Sequence, residues 1–452
     1  MKITDVNAAI EWLNQQKNTP QNNGVEKVTM ALEFLGNPHF GLPAIHITGT
    51  NGKGSTTAFL RDLLLSQGLT VGTFTSPHIM KFNERFTYNG EMISDEELLM
   101  VVNEMIAVND YMAESAYGRL VFFELYTVMM ALYFQMKQPD VCIVEVGIGG
   151  FHDCTIVVDA QLAVITTIGL DHGDKLGNTV EEVAYEKSGI IKAGSVVVTG
   201  LIGEGPLQVI EARAAEMNVP LYRYQKDYGM EDVLNHLEHG STFNFWQKVT
   251  QLDDITQNNF ALSMLGTHQI QNATVALQAF DAWMNLIEQP IDWIVAKPAL
   301  HQTKWIARME RISDAPMVYI DGAHNVAGLT ALKNLMNEFF PHKTIHLLYA
   351  GLETKNQRDQ LPLLASFEPK SFKVTTFGHY QALQQADYQN ILDTLPAELS
   401  EQIVFEGDWK SYVRNFLDQY DTSEDHLLLV TGSLYFVSEI RNFFVHQLQK
   451  CY

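Results

Sequence analysis

The sequence predicts an α/β protein whose mostly parallel sheet is covered by helices, followed by a smaller α/β unit. Three observations predict it. Short apolar, β-rich runs alternate with segments of helical period, the pattern of strand–helix–strand crossovers. The chain has 452 residues, too many for one hydrophobic core, so two domains are expected. A glycine-rich stretch, Gly49–Ser55, stands between a strand-like run and a helix-like one, the place where such folds bind anions.

Taken in order, Pro43–Thr48 reads as a buried strand, Ser55–Ser66 as a helix and Val71–Thr75 as a strand. Asp95–Val108 and Phe122–Met136 are helix-like, and Val141–Val146 and Leu162–Ile168 are strand-like. Thr179–Ile191 is helical, Val196–Thr199 a strand and Leu207–Met217 a helix. Thr242–Ile255 breaks the rhythm as a small antiparallel excursion, and Gln269–Leu286 resumes as a helix. A second series begins with strand Met317–Ile320 and helix Ala327–Phe339. Strands Ile345–Tyr349 and Phe372–Phe377, helix Trp409–Tyr420, strand Leu427–Thr431 and a closing helix Tyr435–Gln449 complete it. The boundary is expected around Lys297-Pro298, giving domains 1–296 and 308–452 joined by a linker, 297–307.

Acidic residues outnumber basic ones, 53 to 30, for a formal charge of −23. That surface repels phosphate backbones and excludes nucleic acid as a partner. It also repels small anions, so an anion site must gather positive charge locally. Cys142, Cys154 and Cys451 show neither a disulfide framework nor zinc spacing. The first residues lack the apolar core of a signal peptide. The longest apolar run, Leu125–Phe134, is too short to span a bilayer. A cytoplasmic monomer with no membrane partner is expected.

The strongest local signal is Gly49-Thr50-Asn51-Gly52-Lys53-Gly54-Ser55. Glycines let the backbone approach phosphates, and helix-start N–H groups point at the anion. Lys53 would neutralise the outer phosphates, while Ser55 would cap the helix or touch magnesium. Gly54 separates Lys53 from Ser55, so the bare phosphate-loop pattern is missed by one residue. A glycine-rich turn with no ligand is the competing reading.

The stretch His46–Ser55 resembles the modified phosphate loop of folylpolyglutamate synthases, ATP-dependent enzymes of the Mur ligase superfamily. Further segments agree in order and spacing: Thr75-Ser76-Pro77-His78 with Phe82-Asn83-Glu84-Arg85, Glu145–Gly150, Leu170-Asp171-His172 with Glu186–Lys192, and Asp321–Asn325. The resemblance runs from about Ile45 to Leu434. It implies an N-terminal ATPase domain and a C-terminal Rossmann-like domain. It also implies that ATP, L-glutamate and a folate are the small-molecule partners. The reaction it implies is transfer of the γ-phosphoryl group to a carboxylate, then attack by the glutamate amine. Cations and positioning should dominate such chemistry.

By the same resemblance, Gly49, Thr50, Asn51, Gly52, Lys53, Gly54 and Ser55 hold the nucleotide, with Asn272, Arg308, Asp321 and His324. Ser76, Glu145 and His172 match magnesium ligands. Lys187 matches a carbamylated lysine that completes a second magnesium site, so two ions are implied. Lys53, His172 and Lys187 are the implied catalytic set. Phe122, Phe123 and Glu124 fall where the family contacts the pterin end of folate, and Asp153 and Thr155 are implied as further substrate contacts. The residues themselves also permit plainer roles. These are a turn at Ser76-Pro77, a solvated strand end at Glu145, a capping residue at His172 and a lysine paired with Glu182 or Glu186 at 187. Core packing serves for Phe122 and Phe123, and helix capping near Ala327 for Asp321, His324 or Asn325.

Three departures from the family pattern stand out. After Gly150, Phe151 and Ile156 replace an arginine and an asparagine; after Asn325, Val326 replaces a proline; and Gly24-Val25-Glu26-Lys27 only loosely fits the family's pterin-proximal segment. The lost arginine predicts addition of glutamate to a reduced folate, with dihydropteroate a poor acceptor. A bifunctional dihydrofolate synthase, a phosphate-loop nucleotide switch and a non-catalytic folate-binding homologue are the alternatives.

Overall fold

The structure, a computed structural model, describes residues 2–16, 24–171, 173–237, 240–249, 252–421, 423 and 425–446. His172, Cys451 and the last residues of the closing helix expected to reach Gln449 lie outside them. The chain divides into two compact units. The first comprises residues 1–234, 242–262 and 269–303, and the second 235–241, 263–268 and 304–452.

The first unit carries an eight-stranded sheet. Its strands are β1 (Ala44–Thr48), β2 (Val71–Phe74), β3 (Phe86–Tyr88), β4 (Glu91–Met92), β5 (Val141–Glu145), β6 (Leu162–Ile165), β7 (Val196–Thr199) and β8 (Leu221–Arg223). The order is β4-β3-β2-β5-β1-β6-β7-β8. All pairings from β2 to β8 are parallel, and only β3 and β4 run antiparallel at one edge. β1 and β5 are buried along their whole length. Their near-continuous apolar runs follow from helices on both faces. Helix Phe122–Lys137 supplies part of that cover, with Leu125, Val128, Met129 and Phe134 fully buried. Each such side chain contributes roughly 1.5–3 kcal/mol of hydrophobic stabilisation.

A three-stranded sheet follows, made of β9 (Tyr228–His236), β10 (Gly240–Val249) and β11 (Leu252–Leu262). It is larger than the excursion expected at Thr242–Ile255.

The second unit carries six strands: β12 (Glu310–Asp314), β13 (Met317–Asp321), β14 (Thr344–Ala350), β15 (Ser371–Thr375), β16 (Ile403–Glu406) and β17 (His426–Gly432). Their order is β12-β13-β17-β14-β15-β16. Only the β12–β13 pair is antiparallel.

Elements with strong periodicity appear within a few residues of their expected ends. The linker does not appear as expected: helix Trp293–Gln302 runs through Lys297-Pro298. Proline removes one intrahelical hydrogen bond there without ending the helix, because Ala296 and Leu300 are fully buried on either side of it.

Candidate active site

Crevices outside the carboxyl ends of parallel strands are where open α/β sheets bind ligands. In the first unit, β1, β2, β5 and β6 end in the loops that hold Gly49–Ser55, Ser76, Glu145–Gly150 and Thr166–Asp171. Helix Lys53–Ser66 starts two residues earlier than expected. Gly52, not Ser55, is its cap; it takes a left-handed conformation (φ 88°) and supplies no side-chain cap. The first backbone N–H groups of a helix have no intrahelical partner. A Cβ at position 52 would meet Asn272 Oδ1 at 2.3 Å, so only glycine lets the loop pass the amide of Asn272. Ser55 is buried inside the first turn.

The loop is tied down from β6. Thr50 N donates to the Thr167 carbonyl at 2.8 Å, and Asn51 N donates to Thr167 Oγ1 at 2.9 Å. Thr166 Oγ1 donates to the Asn51 carbonyl at 2.6 Å, and Thr50 Oγ1 to the Gly169 carbonyl at 3.0 Å. Lys53 Nζ donates to the Gly49 carbonyl at 2.9 Å and so folds back over the loop.

Ser76 and Glu145 come together, with Ser76 N donating to Glu145 Oε2 at 3.4 Å. Glu145 is buried, which removes the solvated-strand-end reading. A hydroxyl and a carboxylate at one place suit magnesium, which takes oxygen ligands and keeps several waters. Among the described residues no group of three or more His, Cys, Asp or Glu forms a metal cluster. The hydroxyl of Ser76 and the carboxylate of Glu145 are oxygen donors of the kind magnesium takes.

Lys187, near the end of helix Val180–Ser188, is 3% exposed. Burial, and then the Lys53 ammonium, bring it down to about 7, against the opposing pull of Asp171, Asp153 and Glu186. The expected helix pairings are not what hold it. Glu182 caps its own helix, accepting from Asn178 N and Thr179 N. Glu186 accepts from Gly150 N and His152 N and from His152 Nδ1. Gly150 lies so close to this turn that a Cβ would meet the Glu186 carbonyl oxygen at 2.6 Å. The loop after β5 is thereby clamped to the Lys187 turn.

Phe122, Phe123 and Glu124 open helix Phe122–Lys137. Phe123 packs on Phe74 at 5.9 Å between centroids, and Phe122 on Tyr126 at 5.0 Å. Both are half-buried, so core packing accounts for one side of each ring. Glu124 is buried; its Oε2 accepts from Val121 N at 2.9 Å and lies 3.5 Å from Lys27 Nζ. Burial raises its pKa, offset by Val121 and Lys27. Asp153 and Thr155 are turned inward. Asp153 Oδ2 accepts from Ile148 N at 2.9 Å, and Thr155 Oγ1 donates to Asp153 Oδ1 at 2.5 Å. Thr155 has no exposed surface.

Phe151 packs against Tyr185 in a tilted arrangement, 5.1 Å between centroids, with the Arg213 guanidinium 5.2 Å over its ring. Its neighbour His152 has an exposed ring whose Nδ1 lies 2.9 Å from Glu186 Oε2.

In the second unit, Asp321 ends β13 and receives Met309 N at 2.9 Å and Ala323 N at 2.8 Å. Burial raises its pKa while Arg308 pulls it back. Arg308 Nη1 donates to the Ala307 carbonyl at 3.1 Å. His324 Nδ1 donates to the Gly322 carbonyl at 2.8 Å. Asn325, rather than Asp321 or His324, caps helix Val326–Phe339 through Gly328 N. Gln360 Nε2 donates to the His324 carbonyl at 3.0 Å and holds this loop from behind. Sequence reasoning missed Thr166, Thr167 and Gln360, and it named Lys27 within the loosely fitting stretch Gly24–Lys27 without its partner Glu124. That pairing, 97 positions apart, carries no local signal; the paired threonines directly after a strand do.

Residues 47–280 match the family model of the Mur ligase middle domain, and residues 307–434 that of the Mur ligase glutamate ligase domain. The chain is 34% identical to the dihydrofolate synthase/folylpolyglutamate synthase of Bacillus subtilis, covering 96% of this chain and 97% of that one. It is 31% identical to the folylpolyglutamate synthase of Lacticaseibacillus casei, over 92% and 93% of the two chains. A solved FPGS–AMPPCP–folate complex superposes with a TM-score of 0.84 at 27% identity, covering 98% of this chain and 100% of that chain. The chain is a Mur ligase, an ATP-dependent ligase by class. Within that class it belongs to the folylpolyglutamate synthase/dihydrofolate synthase family. No helix among the described residues is long and apolar enough to cross a membrane.

Proposed function

We propose that this protein adds L-glutamate to the terminal glutamate carboxylate of a reduced folate, using ATP and releasing ADP and phosphate. One observation carries the reading: a glycine-opened helix start with no side-chain cap carries Lys53, whose Nζ folds back over the loop onto the Gly49 carbonyl. On a chain of charge −23, that is where positive potential is gathered for phosphates.

The N–H groups of Gly52, Lys53, Gly54 and Ser55 cradle the phosphates, and Thr50 and Asn51 keep the loop in shape through Thr166–Gly169. Lys53 follows charge as the γ-phosphoryl group moves to the acceptor carboxylate, forming a carboxyl–phosphate bond as the bond to ADP breaks. The amine of L-glutamate, once it has lost its proton, attacks the acyl carbon, and phosphate leaves. Ser76 and Glu145 would hold magnesium, with His172 as the third protein ligand. The ion would supply charge neutralisation at the phosphoryl oxygens.

Lys187, brought close to neutrality, is suited to react with carbon dioxide. Its neutral amine forms the N–C bond and one proton is released, leaving a carbamate anion able to hold a second ion. Asn272, Arg308, Asp321 and His324 are nucleotide contacts in this reading; Arg308 stays charged and binds oxyanions through two N–H groups. Phe122 and Phe123 present ring faces to the pterin, and Glu124 accepts its N–H groups. Asp153 and Thr155 act behind the site, not on substrate. ATP, labelled glutamate and a panel of folates and dihydropteroate test the whole reading. Phosphate release that needs both acceptor and glutamate supports it, whereas release from ATP alone points to a nucleotide switch. Equal efficiency on dihydropteroate would make the enzyme bifunctional, as the Bacillus subtilis relative is named.

A further inference from the structure

His46 belongs to the phosphate-loop segment, yet nothing in the proposed chemistry uses it. It lies in the middle of β1 with no exposed surface. Its Nε2 is 2.8 Å from Thr155 Oγ1, and its Nδ1 has no partner. These two facts fix the protons. Thr155 Oγ1 gives its hydrogen to Asp153 Oδ1 at 2.5 Å, so it accepts from His46 Nε2–H. The other proton order would bury an Nδ1–H donor with no acceptor, at a cost of about 1–3 kcal/mol.

The chain of hydrogen bonds then continues. Asp153 Oδ1 also accepts from Thr155 N at 3.0 Å. Asp153 Oδ2 accepts from Ile148 N at 2.9 Å. Gly147 and Ile148 directly follow Val146 in the loop that opens at Glu145. The same loop is tied to the phosphate-loop strand from its other side, where Thr48 Oγ1 donates to the Gly149 carbonyl at 2.7 Å. Two residues of β1, His46 and Thr48, thus reach the loop after β5 by separate routes.

We propose that the buried chain His46–Thr155–Asp153 is a positioning device that fixes the backbone of the loop after β5 at Ile148. It thereby holds the Glu145 carboxylate in register with the phosphate loop. His46 is a positioning residue in this scheme and touches neither nucleotide nor acceptor. The inference rests on the reading that Glu145 holds the divalent ion.

The test uses the full-length chain and four single variants. His46→Phe and Thr155→Val keep volume and remove the chain. His46→Gln and Thr155→Ser keep a donor at the Nε2 position and a hydroxyl. Manganese affinity, read by electron paramagnetic resonance in the presence of a non-hydrolysable ATP analogue, is measured beside the magnesium dependence of turnover. Outer-shell partners of metal ligands typically govern affinity by about 10–100-fold. His46→Phe and Thr155→Val should each weaken manganese binding about tenfold, with the nucleotide affinity measured without metal unchanged. His46→Gln and Thr155→Ser should restore most of it. The double variant His46→Phe/Thr155→Val should be no worse than either single, because both cut one chain. Glu145→Gln is the control. If it abolishes manganese binding while Thr155→Val binds normally, the chain has no positioning role. If Glu145→Gln itself binds manganese normally, the metal assignment falls and the inference with it. Should His46→Phe fail to fold, Thr155→Val and its serine rescue decide the matter alone.

Discussion

At the start of helix Lys53–Ser66 no side chain caps the helix, and the threonines that follow β6 hold the loop leading into it. Gly52 contributes no cap there. At the start of helix Phe122–Lys137 the arrangement is reversed. Glu124 closes the helix start by accepting from Val121 N, and Lys27 pairs with it from an adjacent helix. An open start carries the helix's partial positive charge and draws anions. A start closed by a carboxylate has that charge answered already. In the proposed reading it offers ring faces instead, suited to a flat heterocycle. One unit therefore holds two helix starts with opposite preferences, and their chemistry is separable by mutation.

The comparison breaks hardest at Lys53. Lys53→Ala should cost about 3–4 kcal/mol of barrier, because one cation aimed at developing charge is lost. Steady-state kinetics on a variant with an unchanged melting temperature will show a turnover drop of about 10²–10³-fold. The acceptor's binding constant should barely move. Normal turnover in the folded variant would remove the phosphate assignment.

Lys187 comes next. Lys187→Ala should lose at least tenfold in activity, with partial recovery in millimolar acetate or formate if an anion is what the site lacks. Wild-type enzyme in bicarbonate-free buffer should lose activity that added bicarbonate restores. Indifference to bicarbonate, together with an unmodified mass for the peptide containing Lys187, would leave the residue as a plain amine.

The pH dependence of stability sharpens the same point with a smaller effect. The pKa of Lys187 falls to about 7 in the folded chain from an ordinary 10.5. Between those values the unfolded chain binds the extra proton and the folded chain does not. Stability contributed by this site therefore rises from pH 7 towards pH 10.5 and is lost as the pH falls through 7. Urea titrations of wild type and Lys187→Met should diverge in that window, the variant losing the slope. Parallel curves would mean that Lys187 titrates normally.

What the sequence made legible differs between these two sides for a physical reason. Gly49–Ser55 had to be glycine-rich at fixed positions, because Gly52 passes Asn272 in a left-handed conformation. Such constraints are local, so they are written in adjacent residues. Lys27 and Glu124 meet from separate helices, and no spacing rule links positions 27 and 124. Phe122 and Phe123 match a core helix and a ligand wall equally well, since half-buried aromatics serve both. Asp153 and Thr155 were read as substrate contacts, but the structure turns both inward. Their direction depends on the 3-10 turn Cys154–Val157 that Asp153 caps, a feature too short for periodicity to reveal. The strand edges were legible where they were long and apolar. β12 and β16 were missed, because Glu310–Asp314 and Ile403–Glu406 are short and partly polar.

The smallest effect expected is at Phe151, where the family's usual arginine is absent. If position 151 touched the acceptor, its loss would handicap dihydropteroate by roughly 1–3 kcal/mol, the value of a charge-assisted hydrogen bond. The packing argues for less. Phe151 lies against Tyr185 and beneath Arg213, whereas Phe123 lies against Phe74. The two rings pack against different neighbours. Restoring arginine would place a second cation beside Arg213 and remove a cation–π contact of about 0.5–1 kcal/mol. Phe151→Arg should therefore melt slightly lower and keep its efficiency on tetrahydrofolate. It should gain less than about fivefold on dihydropteroate, which is under about 1 kcal/mol. Paired kcat/KM measurements on the two acceptors settle this. A gain of thirtyfold or more would show that residue 151 reaches the acceptor, and Phe151 and Phe123 would then line one site.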